Sequence, residues 1–172
     1  MEIEPIEDSP EKRLAQFCQQ AAAYCAYQDR TQKLVIQKLE GLGANEDEIE
    51  VVIDWLIAEK FLDEQRFANS YTGGKFNRKK WGKLKIQQGL RLQGVDGEQV
   101  QESLNAIDPD EYKQTLLAML RKKNSSFKSE INYTQRSGKL YFFAASKGYE
   151  SSIIREVIRE VLAQQPSDEA ED

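Results

Sequence analysis

The side chains of this chain that are best suited to chemistry are bases concentrated in one stretch. Positions 65–95 hold eight lysines and arginines and no aspartate or glutamate, and Phe76 and Trp81 lie among them. Bases interleaved with aromatic rings can follow a phosphate backbone or meet an acidic protein surface. The stretch therefore predicts a surface that contacts a macromolecule. The alternative is that the lysines are ordinary solvated charges and the two rings pack in the core.

A second basic zone lies further along the chain. Positions 113–149 hold eight bases and one acid, whereas positions 1–64, 96–112 and 150–172 are acidic, so the net charge of -5 conceals the pattern. We predict that both basic zones contribute to the contact surface. The residues predicted to bind a partner or DNA are Arg66, Lys75, Arg78, Lys79, Lys80, Trp81, Lys83, Lys85, Arg91, Arg121, Lys122 and Lys123.

Enzyme chemistry has little support in the composition. The chain has no histidine, which removes Ser-His and Cys-His nucleophile systems and imidazole ligands for zinc. Cys18 and Cys25 are seven residues apart on a predicted helix, about 10 Å along its axis, which is too far for a disulfide. Acidic helix faces and helix N-termini account for the positions of the carboxylates. Catalysis by carboxylates alone is therefore the least favoured of three possible functions, after the two binding functions described below. We therefore expect no catalytic residue, no metal site, no cofactor and no enzymatic activity.

The elements that must position the basic side chains form a threefold repeat. Each copy has apolar residues four apart, a glycine suited to a helix C-terminus, one apolar residue, and a second apolar series at helical spacing. The three glycines are Gly43, Gly94 and Gly148. This pattern is one helix-turn-helix unit repeated three times, and it predicts a row of similar helical modules with a long binding surface.

The full pattern predicts nine helices and an all-α fold. We expect three tandem three-helix repeats at 10–62, 63–108 and 109–164, which form an elongated, slightly curved array. Acidic tails are expected at 1–9 and 165–172. With 172 residues and 40% apolar content, the chain can bury a substantial core.

Capping signals predict where several helices begin. Ser9 before Pro10 and Asp108 before Pro109 are typical N-caps, and Asn45 has capping-box spacing to Glu48. Asp63 and Glu64 are expected in the first turn of the second repeat's first helix, where the helix dipole favours acids, and Asp96 is expected to cap the third helix of that repeat.

Other local expectations concern helix interiors. The pair Gly73 and Gly74 is expected to fray or break the first helix of the second repeat, and positions 123–128 are expected to form a loop or a frayed end. Leu84 is expected to lie in the core. Gly89 falls inside a predicted helix, where glycine costs about 1 kcal/mol relative to alanine.

The distribution of charge distinguishes sequence-specific reading of duplex DNA from contact with a phosphate backbone. In a helix-turn-helix DNA reader, the helix after the turn enters the major groove close to phosphates. Here that helix carries Glu46, Asp47 and Glu48 in the first copy, and Glu98 and Glu102 in the second. Sequence-specific reading of duplex DNA is therefore disfavoured.

The location expected from the sequence is cytoplasmic. No run approaches the about 18 to 20 apolar residues that span a bilayer, and positions 1–4 lack the basic and apolar character of a signal peptide.

Three ordered segments resemble a known family. They are Phe-Leu-Asp-Glu-Gln-Arg-Phe-Ala at 61–68, Lys-Lys-Trp-Gly-Lys-Leu-Lys-Ile at 79–86, and Gly94-Val95. Together they strongly resemble the core of the RecX family, regulators of the bacterial recombinase RecA. Lys147-Gly148-Tyr149 is similar to the Arg-Gly-Phe of the family's third repeat. The resemblance covers roughly residues 15 to 162.

The resemblance implies both a fold and a function. The implied fold is three tandem three-helix repeats. The implied function is binding in the groove of the RecA filament on single-stranded DNA, where the protein contacts neighbouring protomers and damps ATP hydrolysis and strand exchange. This would be regulation of DNA repair and recombination without an active site.

A different class of function remains open. The chain could be a stand-alone single-stranded nucleic-acid-binding helical module that acts through Arg78, Lys79, Lys80, Trp81 and Lys83. This alternative predicts binding to naked oligonucleotides with a steep loss of affinity as salt rises.

Overall fold

The computed structural model describes residues 9–128 and 131–163, and these residues confirm the all-α prediction. Within these ranges the secondary structure consists of helices without strands. The helices are α1 Pro10–Tyr27, α2 Gln32–Gly41, α3 Glu46–Ala58, α4 Glu64–Lys79, α5 Lys83–Leu92, α6 Glu98–Asn105, α7 Pro109–Ser125, α8 Tyr133–Ser146 and α9 Ser151–Ala163.

The helices pack in three consecutive groups. Helices α1–α3, α4–α6 and α7–α9 each pack among themselves, and we call these groups the first, second and third modules. Each module has a long first helix and two shorter ones. The boundaries between repeats that we placed after residues 62, 108 and 164 remain a prediction. The tails predicted at 1–9 and 165–172 lie outside the described residues, apart from Ser9.

The turn between the second and third helices is the same in every module. Gly43, Gly94 and Gly148 have φ of +85°, +84° and +90°, a left-handed conformation that favours glycine. The N–H of the next residue then donates to a carbonyl five residues back, as from Val95 to Leu90 at 3.0 Å. This arrangement satisfies carbonyls at the helix end, and it is the physical basis of the threefold sequence pattern.

Most predicted N-caps are confirmed, and one is wrong. The side chains of Ser9, Asn45 and Asp108 each accept a hydrogen bond from the backbone N–H three residues later, and Asn45 and Glu48 form the full capping box. Asp63, expected in the first turn of α4, caps that helix in the same way. Asp96 does not cap α6. The residue before α6 is Gly97, whose φ of +67° interrupts the helical backbone between the aspartate and Glu98.

Helix α4 corrects the expectation of a break at the glycine pair. It continues through Gly73 and Gly74 to Lys79. Buried residues on both sides of the pair, Thr72 and Phe76, hold it against the rest of the module, and Thr72 Oγ1 donates to Ser103 Oγ at 3.0 Å. Tertiary packing therefore outweighs the low helix propensity of two glycines.

Two further expectations are also corrected. Helix α7 continues to Ser125, into the stretch predicted as a loop, because Asn124 is buried and its Oδ1 accepts from Arg136 Nη1 at 2.9 Å. Leu84 is not in the core, since 52% of its surface is exposed. Its N–H lies at the start of α5 and is used in a contact between modules, described below.

The core is divided unequally among the modules. Phe17, Leu39 and Leu56 belong to a cluster confined to the first module and its end, whereas the buried residues of the second and third modules form one continuous cluster. Cys25 is buried and Cys18 is half-buried, and both are unbridged. Desolvation raises the pKa of each thiol. Across the described ranges, no helix combines the length and apolarity needed to cross a membrane.

Candidate functional site

The structure separates the predicted binding residues into two groups by their environment. One group has exposed side chains that make no ion pair in the described part of the chain: Arg78, Lys79, Lys80, Arg91 and Lys122. The other group is engaged in contacts within the protein: Arg66, Lys75, Trp81, Lys83, Lys85, Arg121 and Lys123. The exposed group is therefore the part of the predicted surface that is available for a partner.

The exposed bases are concentrated at the C-terminal end of α4. Arg78 and Lys79 occupy its last turn, where positive charge complements the helix dipole. Lys80 follows with φ of +55°, and this left-handed residue ends the helix. Three adjacent positive charges thus project from one helix end.

Trp81 lies between two lysines rather than on an open surface. Its half-buried ring packs against the core. The Nζ atoms of Lys75 and Lys85 are 4.7 and 4.9 Å from its ring centroid, which is cation–π distance. Lys85 Nζ also donates to the carbonyl of Ser146 at 3.1 Å. These three side chains therefore stabilise the fold around the second module.

Lys83 belongs to a partly buried polar contact between the second and third modules. Its N–H donates to the hydroxyl of Tyr112 at 2.8 Å, and that hydroxyl donates to Glu150 Oε2 at 2.6 Å. Burial and the hydrogen bond to Glu150 raise the pKa of Tyr112 well above its usual range. The Lys83 ammonium lies 5.1 Å from the Tyr112 ring centroid.

Backbone hydrogen bonds complete this contact, which we call the second–third junction. The N–H of Gly82 donates to the carbonyl of Lys147 at 2.8 Å, and the N–H of Leu84 donates to Gly148 at 3.0 Å. The N-terminus of α5 is thus satisfied by the turn at the end of α8. A Cβ added to Gly82 would lie 2.3 Å from the carbonyl carbon of Gly148, so only glycine fits.

Arg66 is part of the contact between the first and second modules, the first–second junction. Its Nε lies 2.7 Å from Asp29 Oδ1, and its terminal nitrogens donate to the carbonyls of Lys60 and Phe61. The hydrogen bond to Asp29 raises the pKa of the guanidinium. Arg66 thus joins modules within the chain.

The third-module candidates are mostly occupied as well. Arg121 Nη2 lies 3.8 Å from Glu160, and Lys123 lies 5.3 Å from the ring centroid of Phe143. Lys122 is exposed on the same helix. Within the described ranges, no group of three or more His, Cys, Asp or Glu side chains is placed to hold a metal ion. The chemistry that the exposed bases offer is the binding of anions.

Sequence reasoning missed Arg30, which lies in the acidic first zone. The structure places it beside the bases of α4, with its guanidinium carbon 4.0 Å from the centroid of the Tyr24 ring. The sequence did contain a signal for the α4 surface that lies beside Arg30, because Tyr71, Lys75 and Arg78 have the spacing of one helix face.

Comparison with known proteins decides the family. The model for the RecX first three-helix domain matches residues 19–56, and the model for the second three-helix domain matches residues 63–104. The Regulatory protein RecX of Clostridium botulinum (strain Eklund 17B / Type B) is 37% identical over 134 residues, which are 77% of this chain and 62% of that protein. The chain belongs to the RecX family.

Other RecX proteins give the same result. The Regulatory protein RecX of Clostridium tetani is 34% identical over 77% of this chain and 61% of its own length. The chain thus spans less than two thirds of the length of either clostridial protein, 62% of the first and 61% of the second. The crystal structure of RecX from Lactobacillus salivarius has a TM-score of 0.84 at 24% identity, and it covers 89% of this chain and 99% of its own. A second RecX crystal structure has a TM-score of 0.78 at 22% identity, covering 87% of this chain and 73% of its own. At these identities the two structures support the fold alone.

Proposed function

We propose that this protein binds the RecA filament on single-stranded DNA and lowers its ATP hydrolysis and strand exchange. The proposal rests on membership of the RecX family, whose relatives are named regulatory proteins. The structural observation that supports it most is that Arg78, Lys79 and Lys80 are exposed together at the C-terminal end of α4. This basic surface can contact phosphates or carboxylates in the filament groove.

The module arrangement suggests how inhibition would work without an active site. A row of modules can contact neighbouring protomers at once, and each module after the first binds at high effective concentration. A protein that connects protomers in this way resists the rearrangements that accompany hydrolysis and exchange, because it binds one filament state better than another. We place the DNA contact mainly on the second and third modules, since the first carries a large excess of acid.

The test is a titration into RecA from the same organism, assembled on single-stranded DNA, with ATP hydrolysis as the readout. We expect hydrolysis to fall as the protein is added. Unchanged hydrolysis at several-fold molar excess over RecA would contradict the proposal. Location at the end of the filament or along its groove is then distinguished by the molar ratio needed for full inhibition.

A matched pair of variants tests the basic surface. Arg78→Gln with Lys79→Gln removes two exposed charges from α4, and Lys12→Gln with Lys38→Gln removes two exposed charges from the first module. We expect the first variant to inhibit at least about tenfold less well and the second to inhibit normally, because charge contacts act locally. Equal inhibition by both would remove this surface from the proposal.

A second candidate is a stand-alone module that binds single-stranded nucleic acid. The exposed Arg78, Lys79 and Lys80 favour it, whereas the half-buried position of Trp81 between Lys75 and Lys85 argues against base stacking on that ring. Tight binding to naked oligonucleotides without any effect on RecA would favour this candidate over the filament regulator.

A further inference from the structure

A cleft with positively charged walls lies between the first and second modules. Its volume is about 520 Å³. We call it the basic cleft and define it by Arg30 of the first module and by Tyr71, Gly74, Lys75, Arg78 and Lys79 of α4. Lys83 and Trp81 do not line the cleft, although its wall residue Lys75 also contacts the Trp81 ring at 4.7 Å.

Both walls of the basic cleft present bases that the fold holds in place. On one wall, Lys75 Nζ lies 5.0 Å from the Tyr71 ring centroid, and Arg78 lies one turn further along α4. On the other wall, Arg30 stacks on the Tyr24 ring and its Nε donates to the Tyr24 carbonyl at 3.5 Å. The charges therefore converge on one space before any ligand arrives, which reduces the entropy lost on binding.

The residues that line the basic cleft include no carboxylate. Asp29, next to Arg30 in the chain, is already occupied, since Oδ1 accepts from Arg66 Nε at 2.7 Å and Oδ2 accepts from Ser70 Oγ at 3.1 Å. The positive charge of the walls is thus left for an anionic ligand.

Gly74 is the unexplained residue of the cleft. A glycine in a helix interior lowers helix stability, and neither packing nor backbone conformation requires one here. A Cβ added to Gly74 would meet no heavy atom within 4 Å, and its φ is not positive. By contrast, a Cβ on Gly89 would lie 2.2 Å from the hydroxyl oxygen of Tyr71. A glycine that the protein itself does not need leaves space for close approach from outside.

We infer that the basic cleft binds the sugar-phosphate backbone of a single nucleic-acid strand, which passes closest to α4 at Gly74. This inference rests on the proposed function and names the part of the surface that meets the strand. A strand fits better than an acidic polypeptide because the walls add two amide side chains, Gln28 and Gln93. Amides can contact the edges of bases, while arginine pairs with phosphate.

The test compares Gly74→Gln with Gly73→Gln. The two glycines are adjacent in α4 and both have open space at Cβ, but Gly73 lines a different groove, beside Asp108 and Glu111. Both variants should be helical and at least as stable as the parent, which circular dichroism and thermal melting check. Binding of a fluorescent oligothymidine to the full chain is measured by anisotropy at low salt. We expect about tenfold weaker binding for Gly74→Gln and less than about twofold for Gly73→Gln.

Arg30→Gln supplies an independent measurement. If Arg30 contacts a phosphate, the slope of log affinity against log salt becomes shallower by about 0.7 in this variant. An unchanged slope, or equal binding by both glycine variants, would overturn the inference. It would also be overturned if poly-glutamate bound as tightly as the oligothymidine and lost affinity equally in Gly74→Gln, because the cleft would then be a polypeptide site.

The same variants are also tested for inhibition of RecA ATP hydrolysis, which separates this inference from the proposed function. If the parent protein inhibits and Gly74→Gln inhibits equally well, the cleft inference fails while the proposed function stands. If the parent protein does not inhibit, the proposed function fails and the anisotropy measurement still decides whether the cleft binds a strand.

Discussion

The two junctions between modules are built from different interactions. At the second–third junction, backbone N–H groups of Gly82 and Leu84 donate directly to the turn of the third module, and the ring centroids of Phe76 and Tyr112 are 5.8 Å apart. The cores of the two modules are continuous there. Backbone hydrogen bonds between the modules and shared apolar surface make this junction costly to open.

The first–second junction depends on side chains. Arg66 pairs with Asp29, Lys33 Nζ donates to the carbonyl of Leu92 at 3.0 Å, and the N–H of Gln32 donates to Glu64 Oε1 at 3.2 Å. The first module keeps its own core. Because exposed ionic contacts are weak and screened by salt, we expect this junction to respond to salt and ligands more readily than the other. The basic cleft lies at this more responsive junction.

The largest effect is expected from closing the space at the second–third junction. Gly82→Ala puts a Cβ 2.3 Å from the backbone of Gly148 and should lower the free energy of unfolding by about 3 kcal/mol. Gly138→Ala is the control, since its Cβ meets nothing within 4 Å in α8, and it should stabilise by about 0.5–1 kcal/mol. Denaturant unfolding measures both. Similar values for the two variants would show that the junction adapts to the extra atom.

The next effect tests the buried hydroxyl of the same junction. Tyr112→Phe leaves the N–H of Lys83 without its acceptor and should cost about 1–3 kcal/mol of unfolding free energy. Tyr149→Phe is the control, because its hydroxyl makes one longer bond, 3.3 Å to the Lys80 carbonyl, and the cost should be smaller. If Tyr149→Phe proved the more destabilising of the two, the ranking of these contacts would be wrong.

Alkaline pH should weaken the second–third junction. Burial raises the pKa of both Tyr112 and Tyr149, whereas an unfolded tyrosine ionises near pH 10. Above about pH 10 the unfolded state binds fewer protons than the folded state, in which both hydroxyls keep theirs. The stability that these tyrosines provide is therefore fully present below about pH 10 and is lost as pH rises further. Unfolding curves from pH 8 upward should show this loss. The Tyr112→Phe, Tyr149→Phe double variant should lose less, and an identical pH profile would contradict the assignment.

The smallest effect concerns the first–second junction. Asp29 and Arg66 side chains are 28% and 44% exposed, so a double-mutant cycle with Asp29→Asn and Arg66→Gln should give a coupling energy of about 0.5–1 kcal/mol. High salt should reduce it, while the cost of Tyr112→Phe should change little. A coupling energy that is insensitive to salt would remove the distinction between the two junctions.

Local sequence signals predicted most of the fold because the interactions behind them are short-range. The turn glycines, the capping box of Asn45 and Glu48, and the start of α7 depend on residues within a few positions of each other. Other predictions failed, for two different reasons. Helix α4 continues through Gly73 and Gly74, and α7 continues to Ser125, because of buried residues that contact distant parts of the chain. Asp96, by contrast, is separated from α6 by the conformation of the adjacent Gly97.

The candidate site was predictable only as a zone of charge. The sequence located the bases of positions 65–95, but it could not separate the exposed Arg78 and Lys79 from Lys75 and Lys85, which pack on Trp81. Nor could it place Arg30 beside them. Side chains four residues apart on a helix share a face whatever that face contacts, so exposure is decided by the neighbouring helices.

The sequence by itself determined the helices, their threefold repetition and the positions of the charges, because these follow from periodicity, glycine conformation and composition. The tertiary structure decided which bases remain available, how the modules are joined and where a cleft opens. Such properties depend on contacts between residues far apart in the chain, as between Gly82 and Gly148 or Arg66 and Asp29, and no local pattern specifies those contacts.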